Sequence, residues 1–194
     1  MGRELRTFDR DGIYHVISRG SGRGPIVWDT VDQRSFVRAL ARAATRYRWR
    51  VVAWCLMTTH YHVLLQAPEG GISEGMQQIN SSHSRRTNLR HDVLGRHLFL
   101  NRFFSAEVST DAHLVGATLY IARNPVAAGL CTRAHEWTFG SYRATVGLDK
   151  PPDWLAVDRA LQPFGSSVDE FARVVHNGHL LVSDTMDPPG PPNL

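Results

Sequence analysis

Between positions 50 and 66 the sequence reads "RVVAWCLM", two threonines, then "HYHVLLQ". The first run is almost unbroken in its apolar character and of strand length, the pattern of a central strand buried on both faces. The second is a strand that carries two histidines one residue apart, His60 and His62. A chain built around this pair has to cover a sheet from two sides, and the flanking segments have the periodicity to do it.

Residues 12–19, "GIYHVISR", are β-branched and aromatic, as a first strand requires, and the glycine-rich "GSGRGP" ends them. That loop lacks the Gly-Lys-Ser/Thr ending of a phosphate-cradling loop and is read as a turn that presents Arg19 and Arg23. From Thr30 to Tyr47, Phe36, Leu40, Ala43 and Tyr47 recur at helical spacing, while Arg34, Arg38, Arg42 and Arg46 form a second stripe four apart. Such a stripe fits a solvated helix face and a phosphate-tracking surface equally well. "APEGG" at 67–71 closes the histidine strand. A second helix follows with Met76, Ile79 and His83 and turns basic at Arg85, Arg86 and Arg90. "HLFLNRFFSAEVS", 97–109, reads as one more strand with a bend. Ser109, Thr110 and Asp111 offer cap chemistry for a helix from about Ala112 to Asn124, where Pro125 is expected to stop it. The order strand, helix, strand, strand, helix, strand, helix predicts an α+β fold: a ferredoxin-like sandwich, with helices packed on a mainly antiparallel central sheet.

With 194 residues and 42% hydrophobic content, the chain suits one domain with its own core. No apolar run approaches the ~18 residues that cross a bilayer, and "MGRELRTFDR" does not read as a signal peptide, so a cytoplasmic protein without a membrane partner is expected. Cys55 and Cys131 lack any Cys-x-x-Cys spacing and are read as buried thiols. The net charge is +4, and the positive charge is arginine except for Lys150. Arginine suits phosphate and base contacts, although a GC-rich codon bias accounts for the composition equally well. Beyond the main fold, "DWLAVDRALQPF" predicts a short helix, and the proline-rich "DTMDPPGPPNL", 184–194, a disordered tail.

Side chains at i and i+2 of a strand share a face roughly 6.6–7 Å apart, so His60 and His62 can converge on one metal ion. The same pair also fits a merely polar strand face. Tyr120 and Asn124, four apart, stack on one face of the predicted last helix. Tyr120 is not distinguished on these grounds from Tyr14, Tyr47 or Tyr142.

The segments "YHVISRG" (14–20), "AWCLMTTHYHVLL" (53–65), "MQQIN" (76–80), "GRHLFLNRF" (95–103) and "YIARNPVAAGL" (120–130) come in an order that resembles the single-tyrosine transposases of the HUH class. The resemblance is strongest to the REP-associated tyrosine transposases and covers roughly residues 12–146. It implies a transposase domain over 1–146, followed by a C-terminal extension with a short helix over 147–183. It further implies a ferredoxin-like fold, His60 and His62 as ligands of a divalent metal (Mg2+ or Mn2+), Tyr120 as nucleophile and Asn124 as third metal ligand. The implied reaction is cleavage and rejoining of single-stranded DNA from palindromic hairpins through a 5′-phosphotyrosine, by a monomer or a homodimer. Candidate DNA contacts are Arg19, Arg23, Arg34, Arg38, Arg42, Arg85, Arg86, Arg90 and Arg102. The chain departs from the family pattern at Thr58 and Thr59, where proline and asparagine are usual. It departs again at Tyr61 between the histidines, and at His83, a position that often holds tyrosine and that could here add a cationic or metal-binding group. Two alternatives stand beside the implied reaction, a hairpin-binding protein that does not cut and a metal-dependent nuclease that uses water.

Overall fold

The computed structural model describes residues 7–92, 97–100 and 102–177. Strand β1 (Ile13–Arg19) leads through a short 3-10 turn at Ser21–Arg23 to helix α1 (Thr30–Arg46). Strands β2 (Arg50–Leu56) and β3 (His60–Gln66) follow, then α2 (Ile72–Arg90), β4 (Phe104–Val108) and α3 (Asp111–Ala127). The strands form one sheet in the order β2-β3-β1-β4, and every neighbouring pair is antiparallel. This is the predicted ferredoxin-like sandwich, with β1 and β3 at its centre.

Each face of the sheet has its own cover. Tyr14, Val16, Tyr61, Val63 and Leu65 pack beneath Phe36, Leu40 and Ala43 of α1 and Ile72, Met76 and Ile79 of α2. Alternation sends Ile13, Cys55 and Leu64 to the opposite side, where Leu114, Ala117 and Ile121 of α3 cover them. The helix starts follow local chemistry. Asp29 caps α1 by accepting from the Val31 and Asp32 amides, and Thr110 caps α3 by accepting from His113.

Pro125 does not stop α3, which runs on to Ala127. Proline removes one donor, but the turn that ends the helix comes later. Gly129 takes a left-handed φ of 69°, its amide donates to the Val126 carbonyl, and the Leu130 amide donates back to Pro125. The expected strand over 97–109 is also shorter. Only Phe104–Val108 joins the sheet, whereas residues 98–100 pair locally, Ser21 N–H donating to Leu98 O and Leu100 N–H to Arg19 O.

The extension is more than one short helix. After α4 (Tyr142–Thr145), which closes the preceding segment, it contains α5 (Val157–Leu161) and α6 (Val168–Asn177). Phe171 and Val175 of α6 pack with Leu119 of α3, Tyr142 and Phe164. The outer edge of β2 is closed by backbone bonds, Leu56 N–H to Phe139 O, Val51 N–H to Trp154 O and Ala156 N–H to Val51 O, so it offers no free ladder to another chain. The predicted tail lies outside the described residues. Among those described, no helix is long and apolar enough to cross a membrane. Cys55 is buried, as expected, but Cys131 is only partly so, because it follows the helix end and leaves the core.

Tyr61, the residue between the two histidines, points away from them into the α1–α2 core. Its hydroxyl donates to Asn80 Oδ1 at 2.6 Å, and Asn80 Nδ2 donates to Ser18 Oγ at 2.9 Å. Burial pushes the phenol upward, so it remains a donor. This network bolts β3, α2 and β1 together. Tyr61→Phe leaves Asn80 Oδ1 without its donor and is expected to cost about 1–2 kcal/mol in urea unfolding. Unchanged stability would show that the network contributes nothing.

Candidate active site

The site forms where the α3 face of the sheet meets α3 itself. In β3, His60 and His62 share that face. In β1 the residues opposite them are Arg19, paired with His60, and Ile17, paired with His62. His15 lies two residues back from Ile17 on the same side and reaches diagonally to His62. The contact is close: His15 Nε2 is 2.9 Å from His62 Nδ1, both rings buried. His60 stands in front, its ring centroid 4.9 Å from that of His62, with Thr59 Oγ1 3.0 Å from His60 Nδ1.

Helix α3 closes the site from above. The residues that anchor it, Leu114, Ala117 and Ile121, define its inner stripe and thereby turn Tyr120 and Asn124 toward the histidines. The Asn124 amide nitrogen is 3.3 Å from His62 Nε2. The Tyr120 ring centroid lies 5.3 Å from that of His62 and 6.2 Å from that of His15. The predicted nucleophile, both predicted histidines and the predicted third ligand are therefore neighbours.

His62 is held well below the ordinary imidazole range, chiefly by burial and then by the charges that His15, His60 and Arg19 would present. It is neutral at physiological pH, the state in which imidazole binds a cation. Among the described residues, no three His, Cys, Asp or Glu side chains converge as a metal-binding group. A cation here depends on the Asn124 amide oxygen as third donor beside His60 and His62. Two imidazoles and one amide oxygen are a donor set that would suit a divalent ion and would leave coordination positions for phosphate and water.

A one-turn hairpin holds this end of the sheet. The Met57 amide donates to the His60 carbonyl across Thr58 and Thr59, whose own carbonyls accept from Ile26 and Gly20. Gly20 is required there, since a Cβ would sit 2.1 Å from the Gly24 carbonyl oxygen. The loop after Arg19 is thus stitched to the turn before His60.

The arginines divide. Arg19 is in the site, and Arg23 is exposed on the loop beside it. Arg34, Arg38 and Arg42 form an exposed stripe on α1, and Arg102 is exposed ahead of β4. Arg85 and Arg86 flank a shallow groove of about 490 Å³ on α2, together with Ser82, Leu89 and Arg90. Arg90 is engaged by carboxylates: it binds Asp29 at 2.8 Å and also the buried Asp32, which His91 contacts at 2.8 Å. The α1 and α2 arginines lie on helices that cover the sheet face opposite Tyr120.

His83 adds no group to the site. It lies on the far side of the sheet, where Nε2–H donates to the Ile26 carbonyl at 2.8 Å and the ring packs edge-on to Phe36. His15, unassigned on sequence grounds, and Thr59, noted on those grounds only as a departure from the family pattern, both contact the histidine pair. The parity of "YHVISR" puts His15 and Arg19 on one face, but only the β1–β3 register brings His15 to His62.

Comparison with known proteins agrees with this architecture. The family model described as "Transposase IS200 like" matches residues 10–124, from just before β1 to Asn124. A relative from Haemophilus influenzae described as a REP-associated tyrosine transposase is 22% identical over 166 residues, covering 79% of this chain and 93% of that one. A solved structure of a REP-associated tyrosine transposase bound to a REP hairpin superimposes with a TM-score of 0.64 at 18% identity, covering 78% of this chain and 89% of the other. At that identity the likeness speaks to fold.

Burial also lowers His83 below the ordinary 6.5, against the opposing pull of the Ile26 carbonyl and Asp32. In the unfolded chain the ring takes up a proton near ~6.5, so stability is fully present above that pH and is lost as pH falls toward the folded value. His62 acts in the same direction. The melting temperature is expected to drop between about pH 7.5 and about pH 5, and His83→Gln, which keeps an N–H donor for Ile26, should flatten that dependence. An identical slope in the variant would assign the effect elsewhere.

Proposed function

Because this chain belongs to the IS200-like transposase family, we propose that it cuts and rejoins single-stranded DNA through a covalent bond to Tyr120, with palindromic hairpins as its substrate. The observation that carries this reading is the placement of Tyr120 and Asn124, one turn apart on α3, against the buried His62 and its neighbour His60. The hairpin is suggested by the solved relative, which is bound to a REP hairpin.

In the proposed step the Tyr120 oxygen attacks a DNA phosphorus in line and gives up its proton as the new bond forms. The bond from phosphorus to the 3′-oxygen breaks, which leaves a 5′-phosphotyrosine and a free 3′-hydroxyl. Attack by another 3′-hydroxyl reverses the step and releases Tyr120. One phosphodiester is exchanged for another, so no nucleotide cofactor is called for. A divalent cation held by His60, His62 and Asn124, Mg2+ or Mn2+, would polarise the scissile phosphate and offset its developing charge. Arg19, on the same face as the histidines, is suited to hold that phosphate. The rigid mounting of α3 between sheet and extension keeps the tyrosine in its attacking position.

Binding would draw on the exposed arginines. Among the described residues, no carboxylate pairs with Arg23, Arg34, Arg38, Arg42, Arg85, Arg86 or Arg102 as Asp29 and Asp32 do with Arg90, and Arg90 contributes by fixing the end of α2. Replacing Arg85 and Arg86 together by alanine should weaken hairpin binding and lower the slope of log affinity against log salt by about 1–2. Unchanged affinity at every salt concentration would remove this groove from the DNA path.

The decisive test is incubation with labelled hairpin DNA from the gene's flanks and Mn2+, followed by denaturing electrophoresis of wild type and Tyr120→Phe. A shifted protein–DNA band from the wild type alone is expected. Cleavage by both proteins without such a band would identify a water-using nuclease, and binding without cleavage a hairpin-binding protein.

A further inference from the structure

A histidine can bind a cation through a given ring nitrogen only if that nitrogen presents a lone pair, so its single proton must sit on the other one. In this site both candidate ligands have their Nδ1 atoms in contact with a neighbouring side chain, His15 at His62 and Thr59 at His60. We propose that His15 and Thr59 are positioning residues that fix the tautomers of His62 and His60, each accepting a hydrogen bond from Nδ1–H so that each Nε2 keeps its lone pair for the metal. The proposal rests on the reading that a divalent cation is held by His60, His62 and Asn124.

The argument is sharpest at His62. The ring is fully buried, so the protein groups beside its nitrogens govern where the proton sits. Two arrangements satisfy it. In one, His62 Nδ1–H donates to His15 Nε2, and the Nε2 lone pair faces Asn124. In the other, His15 Nε2–H donates to His62 Nδ1, which forces the His62 proton onto Nε2 and blocks that atom as a ligand. The Asn124 amide group faces His62 Nε2, with Nδ2 placed at 3.3 Å, and a donor at that position favours the first arrangement. Further, the first arrangement is the only one in which the nitrogen facing Asn124, the third ligand, is able to coordinate.

Thr59 extends the same logic to His60. Its hydroxyl lies 3.0 Å from His60 Nδ1, and the hairpin turn that holds it is tied by the Thr59 carbonyl to the Gly20 amide. The chain's departure from the usual asparagine at this position therefore retains a side-chain oxygen within reach of the ring. Both devices rest on β1: His15 is part of it, and Gly20 is the residue that follows its end. That gives the "YHVISRG" segment a role in the site through His15 as well as Arg19.

The test uses the full chain in two measurements. In metal-free wild-type protein with 15N-labelled histidine, long-range 1H–15N correlations report which ring nitrogen carries the proton; Nδ1–H at His62 is expected, and Nε2–H there would overturn the proposal. Mn2+ affinity is then measured by the electron paramagnetic resonance of the free ion. His15→Phe, which keeps an aromatic ring but no acceptor, should lower the affinity about 10–100-fold, with hairpin affinity in EDTA retained. His15→Gln, whose Oε1 can accept the same bond, should recover most of the loss. Thr59→Val should weaken Mn2+ binding and Thr59→Ser should not. Wild-type affinity in His15→Phe would overturn the proposal while leaving the metal site intact, whereas a wild-type protein that binds no Mn2+ would overturn the metal reading and this inference with it. Should His15→Phe fail to fold, the wild-type tautomer and the Thr59 pair still decide.

Discussion

Seven consecutive pairs join β1 to β3, from Ile13 opposite Gln66 to Arg19 opposite His60, and the rest of the molecule is arranged around that register. Side chains alternate along a strand, so a slip of one residue would exchange the two faces. His62 would then point into the apolar layer beneath α1 and α2, and Tyr61 would meet α3. The observed register instead places Ser18 opposite Tyr61, within the Asn80 network, while on the reverse side it aligns His15, Arg19, His60 and His62. One pairing thus satisfies a buried polar network on each face of the sheet. The cost of leaving either set unpaired helps to hold the register.

What β1 and β3 present, α3 completes. That helix is held on two sides, by the sheet through Leu114, Ala117 and Ile121 and by the extension through Leu119, with Phe171 and Val175 in the same cluster. The helix continues through Pro125, and the left-handed Gly129 ends it just beyond Asn124, so Tyr120 and Asn124 lie on a helical turn whose orientation is fixed by packing. Were Tyr120 to act as the proposed nucleophile, a mounting of this kind would leave it little freedom to lose when substrate arrives, which is where much of the advantage of a preorganised site originates.

The basic surface is organised separately from Tyr120 and the histidines. Arg34, Arg38 and Arg42 follow the outer face of α1, and Arg85 and Arg86 border the groove on α2, both on the layer opposite Tyr120. Arg90 looks like part of that basic series in the sequence, yet it joins Asp29 and Asp32 and secures the end of α2 to the start of α1. Periodic charge alone does not distinguish a side chain that waits for phosphate from one that already has a carboxylate.

Local pattern was enough to read the helix at Thr30, the two-sided burial of "RVVAWCLM", the shared face of His60 and His62, and the stacking of Tyr120 with Asn124, because each depends on residues at most a few positions apart. Together with the ordered series of motifs it also identified the family. His15 could not be read in this way: its relation to His62 spans 47 positions and exists only once two strands have chosen a register. The same holds for His83, whose helix face turned out to meet Ile26 in the core, for α3 continuing past Pro125 to a glycine turn, and for the extension that closes the β2 edge. The sequence by itself determined which residues can do chemistry and which elements carry them. Tertiary structure decided which of those side chains meet, because strand register and helix packing are set by burial summed over the whole domain and not by any short stretch of it.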